Sequence, residues 1–157
     1  MRTDILKQTY ALEKHPEGGW FSEVYTSRDA SDGRPIAGSI YFLLDKGEVS
    51  HFHRIDCDEL WYFHEGCGLE LTLVDSEGPK KCYLGNDLSK GQRAMVLIPK
   101  GSVFAAENLD PEGYTFISCA TAPKFSYSGF ELLGREALLS VCSDLPEDVL
   151  RLAFEED

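Results

Sequence analysis

The chain has 157 residues, 43% of them apolar, and its 27 Asp and Glu against 15 Lys and Arg leave a formal net charge of −12. Such acidity excludes a broad basic face for nucleic acid or anionic lipid, and no apolar run reaches the roughly 18 residues of a membrane span. An average apolar fraction at this length excludes disorder and predicts one domain, residues 1–157, with a sizeable core.

Met1-Arg2-Thr3-Asp4 opens a mixed polar stretch without the basic-then-apolar order of a signal peptide. Thr3 to Lys14 reads as a helix: Thr3 can cap it, and Ile5, Leu6, Thr9 and Leu12 form one stripe. His15-Pro16-Glu17-Gly18-Gly19 ends it, because proline cannot continue a helix and paired glycines permit tight geometry. A turn-stabilising hydrogen bond is the expected role of His15.

The period then changes to two. Trp20–Tyr25, Gly38–Leu44, Val49–Ile55, Glu59–His64, Leu69–Val74, Lys81–Leu84, Ala94–Ile98, Val103–Glu107 and Tyr114–Ala122 read as strands, with a hairpin-type turn over Asp45–Glu48. Gly, Pro, Asp and Asn punctuate the series at short intervals, the pattern of an all-β sandwich or barrel of antiparallel strands. A loop runs from Pro123 to Gly134, and two short helices follow, Arg135–Cys142 and Pro146–Glu156, packed outside the barrel. From Asp144 to Asp157 six acids face one base, Arg151, which reads as a solvated helix face.

Cys57, Cys67, Cys82, Cys119 and Cys142 are odd in number, and no two stand at C-x-x-C spacing. Reduced thiols in a cytoplasmic protein are expected. Cys119 is read first as a small buried residue and second as a nucleophile.

The stretch that carries chemistry is Gly47-x3-His51-x-His53-x5-Glu59-x6-Gly66. On a regular strand His51 and His53 project together, and Glu59 on the next strand can meet them. Two imidazoles and a carboxylate are the donors of a facial metal site with open positions. A second stretch reads Gly91-x7-Pro99-Lys100-Gly101-x2-Phe104-x3-Asn108.

Together these resemble the paired motifs of the cupin superfamily. His51, His53, Glu59 and Gly66 match the first motif with one extra residue after His53. Gly91, Pro99, Gly101 and Asn108 match the second with two extra residues after Gly91. Phe104 stands where the family has its last metal-binding His. The opening His15-Pro-Glu-Gly-Gly-Trp-Phe, with Ser39-Ile-Tyr-Phe-Leu-Leu, Phe52-His53-Arg54 and Asp58-Glu59-Leu60-Trp61, is similar to the fifth cupin subgroup, a domain of unknown function. The resemblance implies a double-stranded β-helix (jelly roll) barrel over about residues 19–133, accessory helices over about 3–14 and 135–156, and a homodimer.

Two readings of the site stand side by side. In one, His51, His53 and Glu59 hold a divalent metal, weakened by Phe104, in an oxygenase or isomerase. In the other no cofactor is bound, and a pocket takes a small-molecule ligand. There His53, Glu59 and Tyr25 are the catalytic candidates, and Glu23, Ser39, Tyr41, His51, Trp61, Phe63 and Phe104 line the substrate. An acid sharing a strand face with two aromatics, as Glu59 does with Trp61 and Phe63, favours a pocket over a filled barrel. His64 has the opposite parity and is expected to face out.

The metal-free form is similar to sugar-nucleotide 3,5-epimerases, which abstract a proton beside a ketone. His53 as base, positioned by Glu59 or Glu23, with Tyr25 as acid meets that need. The expected substrate is a neutral sugar or small polar metabolite, since the nearest base, Arg54, alternates away from His53 on a regular strand and the overall field is negative. A non-catalytic ligand-binding protein is the third alternative.

Overall fold

A computed structural model describes residues 1–156; Asp157, the last of the six C-terminal acids, lies outside them. The elements in order are α1 (Arg2–Thr9), β1 (Glu13–Lys14), β2 (Trp20–Thr26), β3 (Ala30–Ser31), β4 (Arg34–Pro35), β5 (Gly38–Leu44), β6 (Val49–Arg54) and β7 (Asp58–Gly66). Then come β8 (Leu69–Asp75), β9 (Gly78–Leu84), β10 (Met95–Ile98), β11 (Val103–Asn108), β12 (Thr115–Ala122), β13 (Glu131–Leu132), α2 (Arg135–Val141) and α3 (Glu147–Leu150). The expected all-β character with short terminal helices is observed.

Two antiparallel sheets face each other. One has six strands in the order β1-β2-β5-β12-β7-β10, the other five in the order β13-β6-β11-β8-β9. Alternation sends Phe42, Leu44, Trp61 and Ile117 inward from the first, to meet Leu69, Leu71, Leu84 and Phe104 from the second. The opposite parity builds two outer cores. Leu6 and Leu12 cover Leu43 and Phe116 behind the six-stranded sheet. Leu138, Val149, Leu150 and Leu152 cover Phe52, Val103 and Ala105 behind the five-stranded one.

Three differences from the sequence reading have local causes. Helix α1 stops at Thr9 because Ala11 turns left-handed at φ 50°, which frees Glu13–Lys14 to pair with Trp20–Phe21. The β3–β4 hairpin turns through Asp32 and Gly33, both at positive φ, an Asp-Gly signal that the sequence carries openly. Helix α3 ends after four residues, because the following backbone is used by the sheet. Leu152 O accepts from Phe52 N–H at 3.0 Å, and Phe154 N–H donates to Leu133 O at 2.9 Å. Among the described residues no helix is long and apolar enough to cross a membrane.

Leu138 is fully buried behind the five-stranded sheet. Leu138→Ala is expected to cost about 2–5 kcal/mol, read as a lowered midpoint in urea unfolding.

Candidate functional site

The inter-sheet space is packed solid at one end and hollow at the other, where a cavity of about 320 Å³ opens to solvent. That volume suits a small organic molecule. Glu23 and Tyr25 of β2, Ser39 and Ile40 of β5, Glu59 of β7 and Cys119 and Thr121 of β12 line it from the six-stranded sheet. His53 of β6 faces them from the other. The turn His15–Glu17 and the loop carrying Lys124, Phe125 and Tyr127 close the sides. That loop is tied down at both ends. Phe125 N–H donates to Thr121 Oγ1 at 2.9 Å, and β13 pairs with β6.

The turn is the part that local chemistry explains best. His15 N–H donates to Gly19 O at 3.0 Å and Gly18 N–H to His15 O at 3.0 Å, closing a tight loop. Gly18 sits at φ 104°, and any Cβ there would strike the Val49 carbonyl. This close approach lets Glu17 O accept from His51 N–H at 2.7 Å. It also drives the Glu17 side chain, 7% exposed as a residue, into the molecule.

Strand β6 is bulged where it meets this turn. Phe104 and Ala106 of β11 oppose His53 and Ser50, so β6 carries one extra residue between them. The bulge turns Ser50 and His53 to the same side, although they are three apart. Ser50 Oγ donates to Glu17 Oε1 at 3.0 Å, and His53 Nε2 lies 3.1 Å from Glu17 Oε2.

The hydrogen bonds fix where protons sit. His53 Nδ1 is 2.7 Å from the His51 carbonyl oxygen, so it carries a hydrogen and donates. Burial lowers the His53 imidazolium below its ordinary range and raises the Glu17 carboxyl above its own. Both shifts disfavour the charged forms, so burial favours a neutral pair over an ion pair at this contact. His15 Nδ1 accepts from Glu17 N–H at 3.2 Å, and burial lowers its pKa as well.

Glu59 completes the group. It is 8% exposed, opens onto the cavity and makes no hydrogen bond of regular geometry. Burial first, then the nearby Glu17 carboxyl, push its pKa up to about 7; His53, the Trp61 indole and the Cys119 thiol ease it only in part. Cys119 also lines the cavity, but burial and Glu59 hold its thiol protonated, well above the usual range. A thiol so held is a poor nucleophile.

Of the residues singled out in the sequence, Glu23, Tyr25, Ser39, His53 and Glu59 meet at this cavity. Glu23 is held by Lys124 Nζ at 2.8 Å, which lowers its pKa, and Tyr25 stands at the rim, 54% exposed. Ser39 Oγ donates to Cys119 O at 2.8 Å. His53 is not positioned by Glu59 or Glu23, as expected, but by Glu17.

The other five are elsewhere. Tyr41 has outward parity and packs on Tyr10 at 4.5 Å. Trp61 and Phe63 do share the inward face with Glu59, but they belong to the solid core, as does Phe104, whose ring lies 4.3 Å from that of His53. The bulge carries His51 off the shared face. Its ring meets Phe154 edge-on at 6.1 Å, and its buried Nδ1 has no partner. His64 is exposed, as expected, and bonds Ser118 Oγ at 2.8 Å. Glu17, Lys124, Phe125 and Tyr127 were not singled out. The packed His15–Gly19 turn was the available signal for Glu17; nothing local marks the loop residues.

Comparison with known proteins agrees with this architecture. Residues 5–133 match the family described as Cupin superfamily (DUF985). The chain belongs to that family. The crystal structure of a protein from Shewanella oneidensis is 37% identical over 98% of each chain, with a TM-score of 0.90. A hypothetical protein from Leishmania major is 26% identical over 97% of this chain and 98% of its own, at 0.88. A mutant of Bacillus subtilis oxalate decarboxylase shares the fold, at 20% identity and a TM-score of 0.57, over 92% of this chain and 38% of its own. No match is found among curated proteins.

The cupin motif implies a metal held by His51, His53 and Glu59, and the residues present do not fit one. His51 is turned to Phe154, both nitrogens of His53 are engaged within the protein, and Phe104 fills the space beside it. Among the described residues no three His, Cys, Asp or Glu side chains are grouped to hold a metal ion.

Two outcomes are expected. Gly18→Ala should destabilise by more than about 1 kcal/mol in urea unfolding, since it adds left-handed strain and a clash with Val49. Glu59 has a raised folded pKa, so between 4.5 and about 7 the folded state binds more protons than the unfolded one, and stability drains as pH rises. The stability of Glu59→Gln relative to the parent should therefore grow from pH 5 to pH 8; a constant difference across that range would show Glu59 to be unperturbed.

Proposed function

We propose that this cupin binds a small polar metabolite in the cavity and moves protons on it, as an isomerase or epimerase does. The observation that carries this is Glu59: a buried carboxyl with no ion-pair partner, facing a small-molecule cavity, with its pKa pushed up to about 7. Near neutral pH such a group is populated both as base and as acid.

Glu59 is the group that takes the proton from a carbon beside a ketone. The C–H electron pair becomes the C=C bond of an enolate as the C=O π pair moves to oxygen, a proton returns to the carbon from Tyr25 at the rim, and Glu59 and Tyr25 regain their starting forms by proton exchange with solvent through the open mouth. His53 does not touch the reacting carbon, because its Nδ1 faces the His51 carbonyl and its Nε2 faces Glu17. Its part is to hold, with Ser50, the Glu17 carboxyl in the wall of the cavity. The acidic chain and the pairing of Lys124 with Glu23 disfavour phosphate-bearing substrates. The partner is thus a small molecule rather than nucleic acid or membrane.

The test is deuterium wash-in from D₂O at carbons next to a carbonyl, across a panel of ketoses and small polar ketones. Exchange with at least one member is expected, together with its loss by about 10²-fold or more in Glu59→Gln while the fold persists. An undiminished rate in Glu59→Gln, or no exchange with any ligand that stabilises the fold, would point to a non-catalytic binding protein.

A further inference from the structure

The cavity is one-sided in charge. Lys124, its one Lys or Arg, is already committed to Glu23 and Thr26, each at 2.8 Å. Glu13, exposed at the mouth, forms no ion pair among the described residues, since the neighbouring Lys14 turns to Glu48. Glu59, nine-tenths buried, lines the interior and has no ion-pair partner among the described residues. Among the described residues, two carboxyl groups in one cavity thus stand without an ion-pair partner, and no Lys or Arg that lines it is free.

The wall between mouth and interior is aromatic. Phe125 and Tyr127 lie edge to face at 5.0 Å, and the Tyr127 ring stacks over His15 at 6.4 Å. Tyr127 is 56% exposed, so its ring is open to a ligand. Glu13 and Tyr127 line the same cavity, so the carboxylate and the exposed ring share its mouth. A carboxylate beside an exposed ring is the surrounding that attracts an organic cation. The net charge of −12 concentrates cations near such a mouth and repels anions.

We infer that the ligand of this cavity carries a positively charged amino or quaternary ammonium group, held at the mouth between the Glu13 carboxylate and the Tyr127 ring, with its polar remainder reaching toward Glu59. The inference rests on the cavity being the ligand site proposed above and adds the ligand's charge class.

The test uses probe pairs that differ in one charge: choline against 3,3-dimethylbutanol, and glucosamine against glucose, with glucose 1-phosphate as the anionic control. Calorimetric titration should show at least one amine binding about tenfold or more tighter than its neutral partner. The ratio of amine to neutral-partner affinity is the readout, and it should fall toward one in Glu13→Gln and in Tyr127→Ala, both at exposed positions. Equal or tighter binding of the neutral partner, preference for the phosphate ester, or no binding by either pair at about 10 mM would overturn it. An amine preference without deuterium exchange would leave the ligand class standing and remove the isomerase reading. Exchange on neutral sugars without an amine preference would do the reverse.

Discussion

The site depends on one buried contact, the Glu17 carboxyl against the His53 imidazole at 3.1 Å. A carboxyl this deep is costly unless its polar atoms are met. Here Ser50 bonds one oxygen and His53 the other. The turn supplies the backbone half of the arrangement, through His51 N–H to Glu17 O and the close seat of Gly18 on Val49. Turn, bulge and imidazole hold one another. Removing any one leaves a buried polar group without a partner, which is the expensive case.

This contact also sets the electrostatics of the cavity. Several ionisable groups share a low-dielectric space, and they are tolerated there because burial drives them toward neutrality: histidines down, carboxyls up. For the Glu17–His53 pair both shifts favour the uncharged forms. Glu59 has no such partner, and its acidity is displaced to the neutral range instead. A carboxyl whose solvation comes from whatever enters the cavity is a group arranged for a ligand rather than for stability. The aromatic loop beyond it is anchored through Thr121 and β13, so the mouth is framed by fixed elements.

The strand pattern was largely readable because alternation is a backbone property. Glu59, Trp61 and Phe63 share an inward face as the two-residue period requires. The reading misjudged how far along that face the hollow extends, since only the three-dimensional filling by Phe42, Leu69 and Phe104 shows where the core ends. It misplaced His51 for a different reason. A bulge adds a residue without leaving a composition signal, and a single extra residue reverses the parity of everything before it. The same shift is what allows Ser50 and His53 to act on one carboxyl.

Sequence by itself determined the strand series, the punctuating turns, the cupin resemblance, and the placing of His53 and Glu59 on successive strands. These follow from local periodicity and from residue types that permit few backbone conformations. Tertiary structure alone decided that Glu17 is the partner of His53, that His51 is turned away, and that Lys124, Phe125 and Tyr127 shape the mouth. Those contacts join residues up to about a hundred positions apart, such as Glu23 with Lys124. No local pattern encodes a meeting of that kind; it arises only when two sheets close on each other and a bulged strand and a tight turn settle the register between them.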